Sequence, residues 1–285
     1  MSSRVRVPNV LTIAGVDPSG GAGVLADVKT FSALGAYGCG AIAALTAQNT
    51  RAVTGIHAVP PEFLKLQLDT LFDDVRIDAV KIGMLASRAL IVVVAEVLRR
   101  YAPGFVVLDP VMVAKSGDRL LHAEAVDALK RDLLPLATVL TPNLPEAGDL
   151  LGHAVADSAA ALREAARALH ALRPGHVLVK GGHGSGDTLV DVLFDGSRVV
   201  ELPAQRIRTR NTHGTGCTLS SAIAALLPQR PTVEAAVRDA RAYVLEAIRR
   251  SDDLQVGGGH GPLHHFHHFW PSANVRRARF QEATE

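Results

Sequence analysis

Short apolar runs alternate along the chain with longer stretches in which apolar side chains return every third or fourth position. The first kind reads as buried strands and the second as helices laid on a sheet, which together predict β-α units feeding a largely parallel sheet. The strand candidates are VLTIA (10–14), AIAALT (41–46), AVKIG (79–83), FVVLD (105–109), TVLT (138–141) and HVLVKG (176–181). Helices are predicted over 22–34, closed by Gly35, and over 61–73, 87–100 with Ser87 as cap, 158–172, 216–227 and 232–250. In 158–172 the logic is plain: Leu162, Ala166, Leu169 and Leu172 share one face, Asp157 or Ser158 caps the start, and Pro174 with Gly175 ends it. LVDVLF (189–194) and SRVVEL (197–202) flank Asp195 and Gly196, so a small antiparallel edge is expected after the parallel core.

Composition leaves this picture in place. The 285 residues are 48% hydrophobic and 20% charged, as expected of a globular protein with a substantial core. With no repeat and no Pro- or Ser-rich linker, the whole chain, 1–285, is expected to form one α/β domain, with 276–285 a loose tail. The net charge is +2, the clearest basic clusters lie at the two ends (Arg4 and Arg6; Arg276, Arg277 and Arg279) and no basic stripe is evident, so no nucleic-acid partner is expected. The longest purely apolar run, 89–95, is far short of the roughly 18 residues of a membrane span. Two cysteines cannot build a multi-disulfide framework and the N-terminus lacks a secretory signal's apolar core, which predicts a cytoplasmic protein without a membrane partner.

In open α/β sheets ligands bind beyond the carboxyl ends of the strands. Four such ends carry chemistry. AGVDPSGGAGVLAD (14–27) is a glycine-rich turn whose GAGVLA matches a dinucleotide fingerprint, yet residues 28–61 hold no Asp or Glu to grip a ribose, and no P-loop motif exists. Its backbone is expected to line a ligand pocket. In LDPVMVAKSGDRLL (108–121), Asp109 at a strand end either holds a metal or caps a turn. In TPNLPEAGDLLG (141–152), Asn143 and Glu146 have a spacing that suits Mg²⁺, although read locally a capping-box variant explains them better.

The fourth is NTHGTGCTLSS (211–221). Gly214, Thr215 and Gly216 open an Ala-rich helix whose free amides and dipole favour an anion. A cysteine at such a helix start can have its pKa lowered toward 7 or below. Cys217 is thus a proton acceptor, a nucleophile with His213 as base, or a plain buried residue.

With LTIAGVDPSGGAGVLADVKTFSALGAYG, ALTAQNTR, VKIGML, LDPVMVAKSGDRLL, LTPNLPEA, VKGGH, NTHGTGCTLSSA and GHGPLHHFHHFW in order, the chain resembles, over nearly its full length, the bacterial hydroxymethylpyrimidine/phosphomethylpyrimidine kinases of the ribokinase-like group. The resemblance implies ATP-dependent phosphorylation of 4-amino-5-hydroxymethyl-2-methylpyrimidine and then of its monophosphate, for thiamine biosynthesis. It implies a central, mostly parallel sheet with helices on both faces. Gln48 would hydrogen-bond the pyrimidine, with Gly15, Asp17 and Met84 around the ring. Cys217 would be the base, and Gly214, Thr215 and Gly216 the anion hole. Lys180 would lie near the ATP phosphates, and Asn143 and Glu146 would act with Asp109 on Mg²⁺, which reverses the local reading of that pair. A homodimer is implied too. Pyridoxal kinase is the nearest rival, and a cysteine hydrolase using Cys217 with His213 a more distant one. The histidines His264, His265, His267 and His268 look like a metal patch but fall inside the family-like motif, with no carboxylate or cysteine to complete a site. Lys115, Ser116 and Gly117 suggest a flap over 112–122.

Overall fold

A computed structural model gives the three-dimensional structure. It describes residues 6–112, 123–182 and 186–271; the suggested flap and the C-terminal tail lie outside the described residues.

Nine strands form one sheet in the order β3-β2-β1-β4-β5-β6-β7-β8-β9. These are β1 (Asn9–Val16), β2 (Tyr37–Gln48), β3 (Val53–Ala58), β4 (Ala79–Ile82), β5 (Phe105–Leu108), β6 (Val139–Leu140), β7 (His176–Val179), β8 (Thr188–Phe194) and β9 (Val199–Gln205). From β2 through β7 every neighbouring pair is parallel. The expected antiparallel hairpin β8–β9 is present, its turn held by Asp195 Oδ1, which accepts from the amides of Ser197 and Arg198. An antiparallel strand also sits at the opposite edge, where β3 pairs with β2. VTGIHA is short, exposed and interrupted by glycine, so it lacks the apolar run that marked the other strands.

The helices are α1 (Gly23–Ala33), α2 (Pro61–Asp74), α3 (Arg88–Tyr101), α4 (Ala123–Ala128), α5 (Leu144–Leu151), α6 (Ala159–His170), α7 (Thr215–Leu226) and α8 (Val233–Arg249). Side-chain caps open three of them: Ser87 Oγ accepts from Leu90 N and Ser158 Oγ from Ala161 N, as their sequences suggest, and Thr232 Oγ1 accepts from Ala235 N. Two apolar layers cover the sheet. Leu11, Ile13, Val80, Ile82 and Leu108 pack on one face against α2 to α6. Val10, Ala79, Val107 and Leu178 pack on the other against α1, α7 and α8. Adjacent strand residues alternate between the layers, as the two-residue period of a strand requires.

After β1 the chain builds outward to β2 and β3, then returns to add β4 on β1's other side. The order reverses between β1 and β4, and loops leaving the carboxyl ends on either side of such a point diverge to form a crevice. α7 lies across this centre. From Thr218 to Leu226 it is buried on every side, and its run of small residues lets α1, α8 and the sheet approach together.

Candidate active site

The crevice is a cavity of about 800 Å³, and every site residue picked from the sequence lines it: Gly15, Asp17, Gln48, Met84, Asp109, Asn143, Glu146, Lys180, Gly214, Thr215, Gly216 and Cys217. Residues 14–17 leave β1, Gln48 ends β2, Met84 follows β4, Asp109 follows β5, Asn143 follows β6 and Lys180 follows β7.

Thr212 to Cys217 all face the cavity, so the N-terminal end of α7 opens on it. First-turn amides of a helix have no intrahelical partner, and Thr215 N makes only a long 3.4 Å contact to Thr212 O. Gly214 has φ +78°, and a Cβ there would lie 1.7 Å from Gly21 O. Both its left-handed backbone and the pressure of the 14–23 turn demand glycine. Gly214→Ala is expected to lower the melting temperature by several degrees and to cost at least about tenfold in turnover, since a left-handed backbone strains any residue with a Cβ. Thermal melts and steady-state rates check this.

The charged wall centres on Lys180. Its Nζ lies 3.0 Å from Asp109 Oδ1 and 3.8 Å from Glu146 Oε2. Asp109 also accepts from Thr141 Oγ1 at 3.2 Å and Ser220 Oγ at 3.2 Å. Burial pushes the Asp109 carboxyl up, but Lys180 and Lys81 outweigh it and hold it below the ordinary carboxylate range. Burial also opposes the charge on Lys180, and Asp109 and Glu146 more than compensate, so its ammonium persists. A Cβ at Gly216 would lie 3.3 Å from Lys180 Nζ, which places this cation directly at the start of α7.

Asn143 and Glu146 form a full capping box: Asn143 Oδ1 accepts from Glu146 N at 2.9 Å and Glu146 Oε2 from Asn143 N at 2.8 Å. The local reading of that pair therefore describes the geometry, and the same carboxyl also faces Lys180. Burial, opposed by Lys180 and reinforced by Asp109, raises Glu146 to about 7.

At the other end, a Cβ on Gly15 would stand 2.9 Å from Met84 Cε, so β1 passes close beside this thioether. Gln48 Oε1 sits 3.2 Å from Thr46 Oγ1, which also donates to Val16 O at 2.8 Å. Asp17 reaches the cavity, but its carboxylate is engaged. Oδ2 meets His213 Nε2 at 2.6 Å, Ser19 Oγ at 2.9 Å and Ala22 N at 3.0 Å, and Oδ1 accepts from Ser19 N. Although burial raises Asp17, these partners hold it below its ordinary value. The pair fastens the 14–23 turn to the start of α7. His213 is thereby committed to Asp17, which speaks against a Cys217–His213 dyad.

Cys217 differs from expectation. Burial pushes its thiol up to about 11, with Asp27 and Asp109 adding to the rise and Lys81 and the Gly23 amide opposing it. A helix N-terminus does favour the thiolate, but here desolvation exceeds that help. The sequence near Cys217 leaves a buried thiol open as one reading but does not show how strongly burial acts on it.

Several residues in the cavity wall or just beneath it carry no mark in the sequence reading. Asp27, Thr12 and Ser221 form a buried network with Lys81 beside Cys217. The one legible signal was a lysine inside the otherwise apolar strand AVKI. Leu189, Ala204, Ile207, Val244, Leu245 and Ile248 make an apolar slot, with the Arg241–Asp191 ion pair (2.8 Å) at its side. They come from three distant segments and carried no common pattern.

The histidine group is packed inward. His264, His265 and His267 are buried, His265 Nε2 meets Thr218 Oγ1 at 3.2 Å, and Tyr243 Oη donates to His265 O. Burial, with the charge of Lys29, drives His265 down to about 3. Among the described residues no cluster of three or more His, Cys, Asp or Glu is placed to hold a metal.

A switch-point cavity of this size, with a helix N-terminus, a lysine–carboxylate cluster and an apolar slot around it, defines a small-molecule kinase of the ribokinase-like class. Comparison with known proteins agrees. Pyridoxal kinase of Staphylococcus aureus in complex with ADP superimposes with a TM-score of 0.86 at 33% identity, covering 94% of this chain and 96% of its own. Phosphomethylpyrimidine kinase of Clostridium difficile 630 gives 0.75 at 40% identity, covering 85% and 99%. Residues 17–264 match the family model described as phosphomethylpyrimidine kinase. The hydroxymethylpyrimidine/phosphomethylpyrimidine kinase of Escherichia coli is 52% identical over 262 residues, 92% of this chain and 98% of that protein. The chain belongs to the phosphomethylpyrimidine kinase family.

Proposed function

We propose that this protein is an ATP-dependent kinase that phosphorylates the hydroxymethyl group of 4-amino-5-hydroxymethyl-2-methylpyrimidine and then converts the monophosphate to the diphosphate, as a step of thiamine biosynthesis. The observation that carries this reading is one cavity in which a heterocycle-sized end (Gly15, Gln48, Met84) and a phosphate-compatible end (214–216, Lys180, Asp109, Glu146) meet at Cys217. Pyridoxal kinases share the fold at 33–36% identity, whereas curated pyrimidine kinases reach 52%, so the pyrimidine is the preferred acceptor.

Phosphoryl transfer passes through a loose transition state in which positioning and charge neutralisation supply most of the catalysis. Amides at 214–216 and Lys180 take up charge on the migrating group. The apolar slot is suited to a purine ring. Gln48, with both donor and acceptor, suits an aminopyrimidine edge. Cys217 is placed to receive the proton of the acceptor hydroxyl as the new O–P bond forms.

Glu146 and Asp109 fit Mg²⁺: they are buried, hard oxygen donors, and burial together with repulsion from Asp109 lifts Glu146. Bound there, the ion would neutralise phosphate charge. Protons compete at the same carboxyl, so Mg²⁺ affinity is expected to weaken as pH falls through about 7. In the metal-free protein the sign is fixed by linkage: a carboxyl with a raised folded pKa destabilises as pH rises from its ordinary value, near 4.5, toward 7. Glu146→Gln should flatten both dependences, measured by calorimetric titration and by melting across pH.

The chain is read as one kinase domain, acting as a homodimer in the cytoplasm. Leu45, Ile56, Phe63 and Leu66, exposed on β2, β3 and α2, offer apolar area for a second copy. Among the described residues no helix is long and apolar enough to cross a membrane. The function is tested by incubating purified protein with ATP, Mg²⁺ and either the pyrimidine alcohol or pyridoxal and following mono- and diphosphates. Faster phosphorylation of pyridoxal would overturn the assignment of substrate, and sedimentation at the single-chain mass would overturn the dimer.

A further inference from the structure

Under the cavity floor lies a second charge cluster that the proposed reaction leaves unused. Lys81 sits in β4 between Val80 and Ile82 with its side chain fully buried, and its Nζ donates to Asp27 Oδ2 at 2.9 Å. Asp27, on α1, is equally buried. It accepts from Thr12 Oγ1 at 2.6 Å through the same oxygen and from Ser221 Oγ at 2.7 Å through the other. Ser221 is one helical turn beyond Cys217, so the network ties β1, α1 and β4 to the helix that carries the thiol. The fit is close: a Cβ at Gly83 would stand 2.8 Å from Lys81 Nζ. Lys81 nonetheless lines the cavity together with Cys217.

A wholly buried ion pair is a poor stabiliser, because desolvation of both charges consumes most of their attraction and apolar residues of similar volume often serve as well or better. Charge in this position calls for another reason. Four charged groups act on Cys217: Lys81 from β4, Asp27 from α1, Asp109 beyond β5 and Lys180 beyond β7. The amide of Gly23, at the start of α1, joins them. Lys81 exerts the largest electrostatic pull toward a negative sulfur, and both carboxylates oppose it.

We propose that Lys81 is a positioning residue for the first phosphorylation: fixed by Asp27, it keeps a permanent positive charge beside Cys217, which lets the sulfur take the proton of the acceptor hydroxyl. In that step the hydroxyl oxygen bonds to the γ-phosphorus, the bond from phosphorus to the ADP oxygen breaks with its electron pair staying on ADP, and the proton passes from oxygen to the thiolate form of Cys217, which becomes the thiol and later returns a proton to water. This rests on the reaction proposed above, and the two are separable because the thiol can be probed with no substrate present.

The experiment follows alkylation of Cys217 by iodoacetamide against pH, read at the peptide level so that Cys39 is counted apart. Lys81→Met is expected to move the alkylation profile to higher pH, slowing the reaction at fixed pH about tenfold for each unit of displacement. Asp27→Asn, which removes the carboxylate that offsets the burial of Lys81 and so favours its neutral form, is expected to move it in the same direction by a smaller amount. A purely structural role would leave the profile where it is. In kinase assays Lys81→Met is expected to lower phosphorylation of the alcohol at least ten times more than phosphorylation of the monophosphate, whose attacking oxygen has little or no proton to lose. The proposal is overturned if folded Lys81→Met alkylates with the wild-type profile or loses both steps equally. Should Lys81→Met fail to fold, the double variant Asp27→Asn/Lys81→Met, which buries no net charge, decides in its place: alkylation slower than wild type supports the role, and an unchanged profile removes it. Wild-type protein that phosphorylates no pyrimidine counts against the reaction alone, since alkylation reads Lys81 directly.

Discussion

Replacing Cys217 by alanine is expected to slow phosphorylation of the pyrimidine alcohol by roughly a hundredfold or more, and phosphorylation of the monophosphate by less than about tenfold, because a positioned general base contributes about 10²- to 10⁴-fold only where there is a proton to remove. The two acceptors differ in just this respect. A hydroxymethyl group must shed a proton as it becomes a phosphate ester. A phosphate monoester, whose second pKa is about 6, is mostly a dianion at neutral pH and attacks without one. In the proposed mechanism both reactions use the same cavity, the amides at 214–216 and Lys180, so the second step serves as an internal control for folding and nucleotide binding. The thiol itself, pushed up to about 11, is protonated at neutral pH, and the fraction able to accept is small. Alcohol turnover should therefore rise with pH through the neutral range, and that rise should vanish in Cys217→Ala. Single-turnover assays started separately from alcohol and monophosphate decide this. Equal losses in both would assign Cys217 to packing.

Lys180→Met is expected to reduce both steps by about a hundred- to a thousandfold, the usual consequence of removing one preorganised group that meets charge developing in a transition state. It should also leave Asp109 and Glu146 without the cation that lies between them. With Lys180 gone, the folded-state pKa of both carboxyls rises, that of Glu146 further above its unfolded value, and a group raised in this way destabilises as pH climbs. The deficit in stability is thus expected to be small near pH 5 and large near pH 8, where breaking a buried pair costs about 3–5 kcal/mol. Asp109→Asn in the same background should recover much of the stability at pH 8 without recovering turnover. Melting curves at the two pH values, read beside rates, separate the electrostatic part from the catalytic part. A variant equally stable at both would mean that the carboxyls are already neutral or screened.

Local patterns located most of the architecture. Ser87, Ser158 and Thr232 cap their helices, and Asp195 with Gly196 makes the hairpin turn, because caps and turns are decided by residues within a few positions of one another. The strand runs were legible because a strand buried on both faces is apolar throughout. β3 was not, since an exposed edge strand carries no such run.

The order of β-α units, two helix caps, the family and the residues that converge on the cavity are thus legible in the chain, because all of them depend on near neighbours or on ordered motifs. Tertiary structure alone decided the ionisation of those residues. Cys217 stands at a helix N-terminus, yet its thiol is pushed up; Glu146 is a helix-capping carboxyl, yet it is raised to about 7; Asp17 is buried, yet hydrogen bonds from His213, 196 positions away, and from Ser19 hold it below its ordinary value. Charge state follows desolvation and the nearest opposite charge in space, and both are set by strands and helices that the chain brings together from far apart.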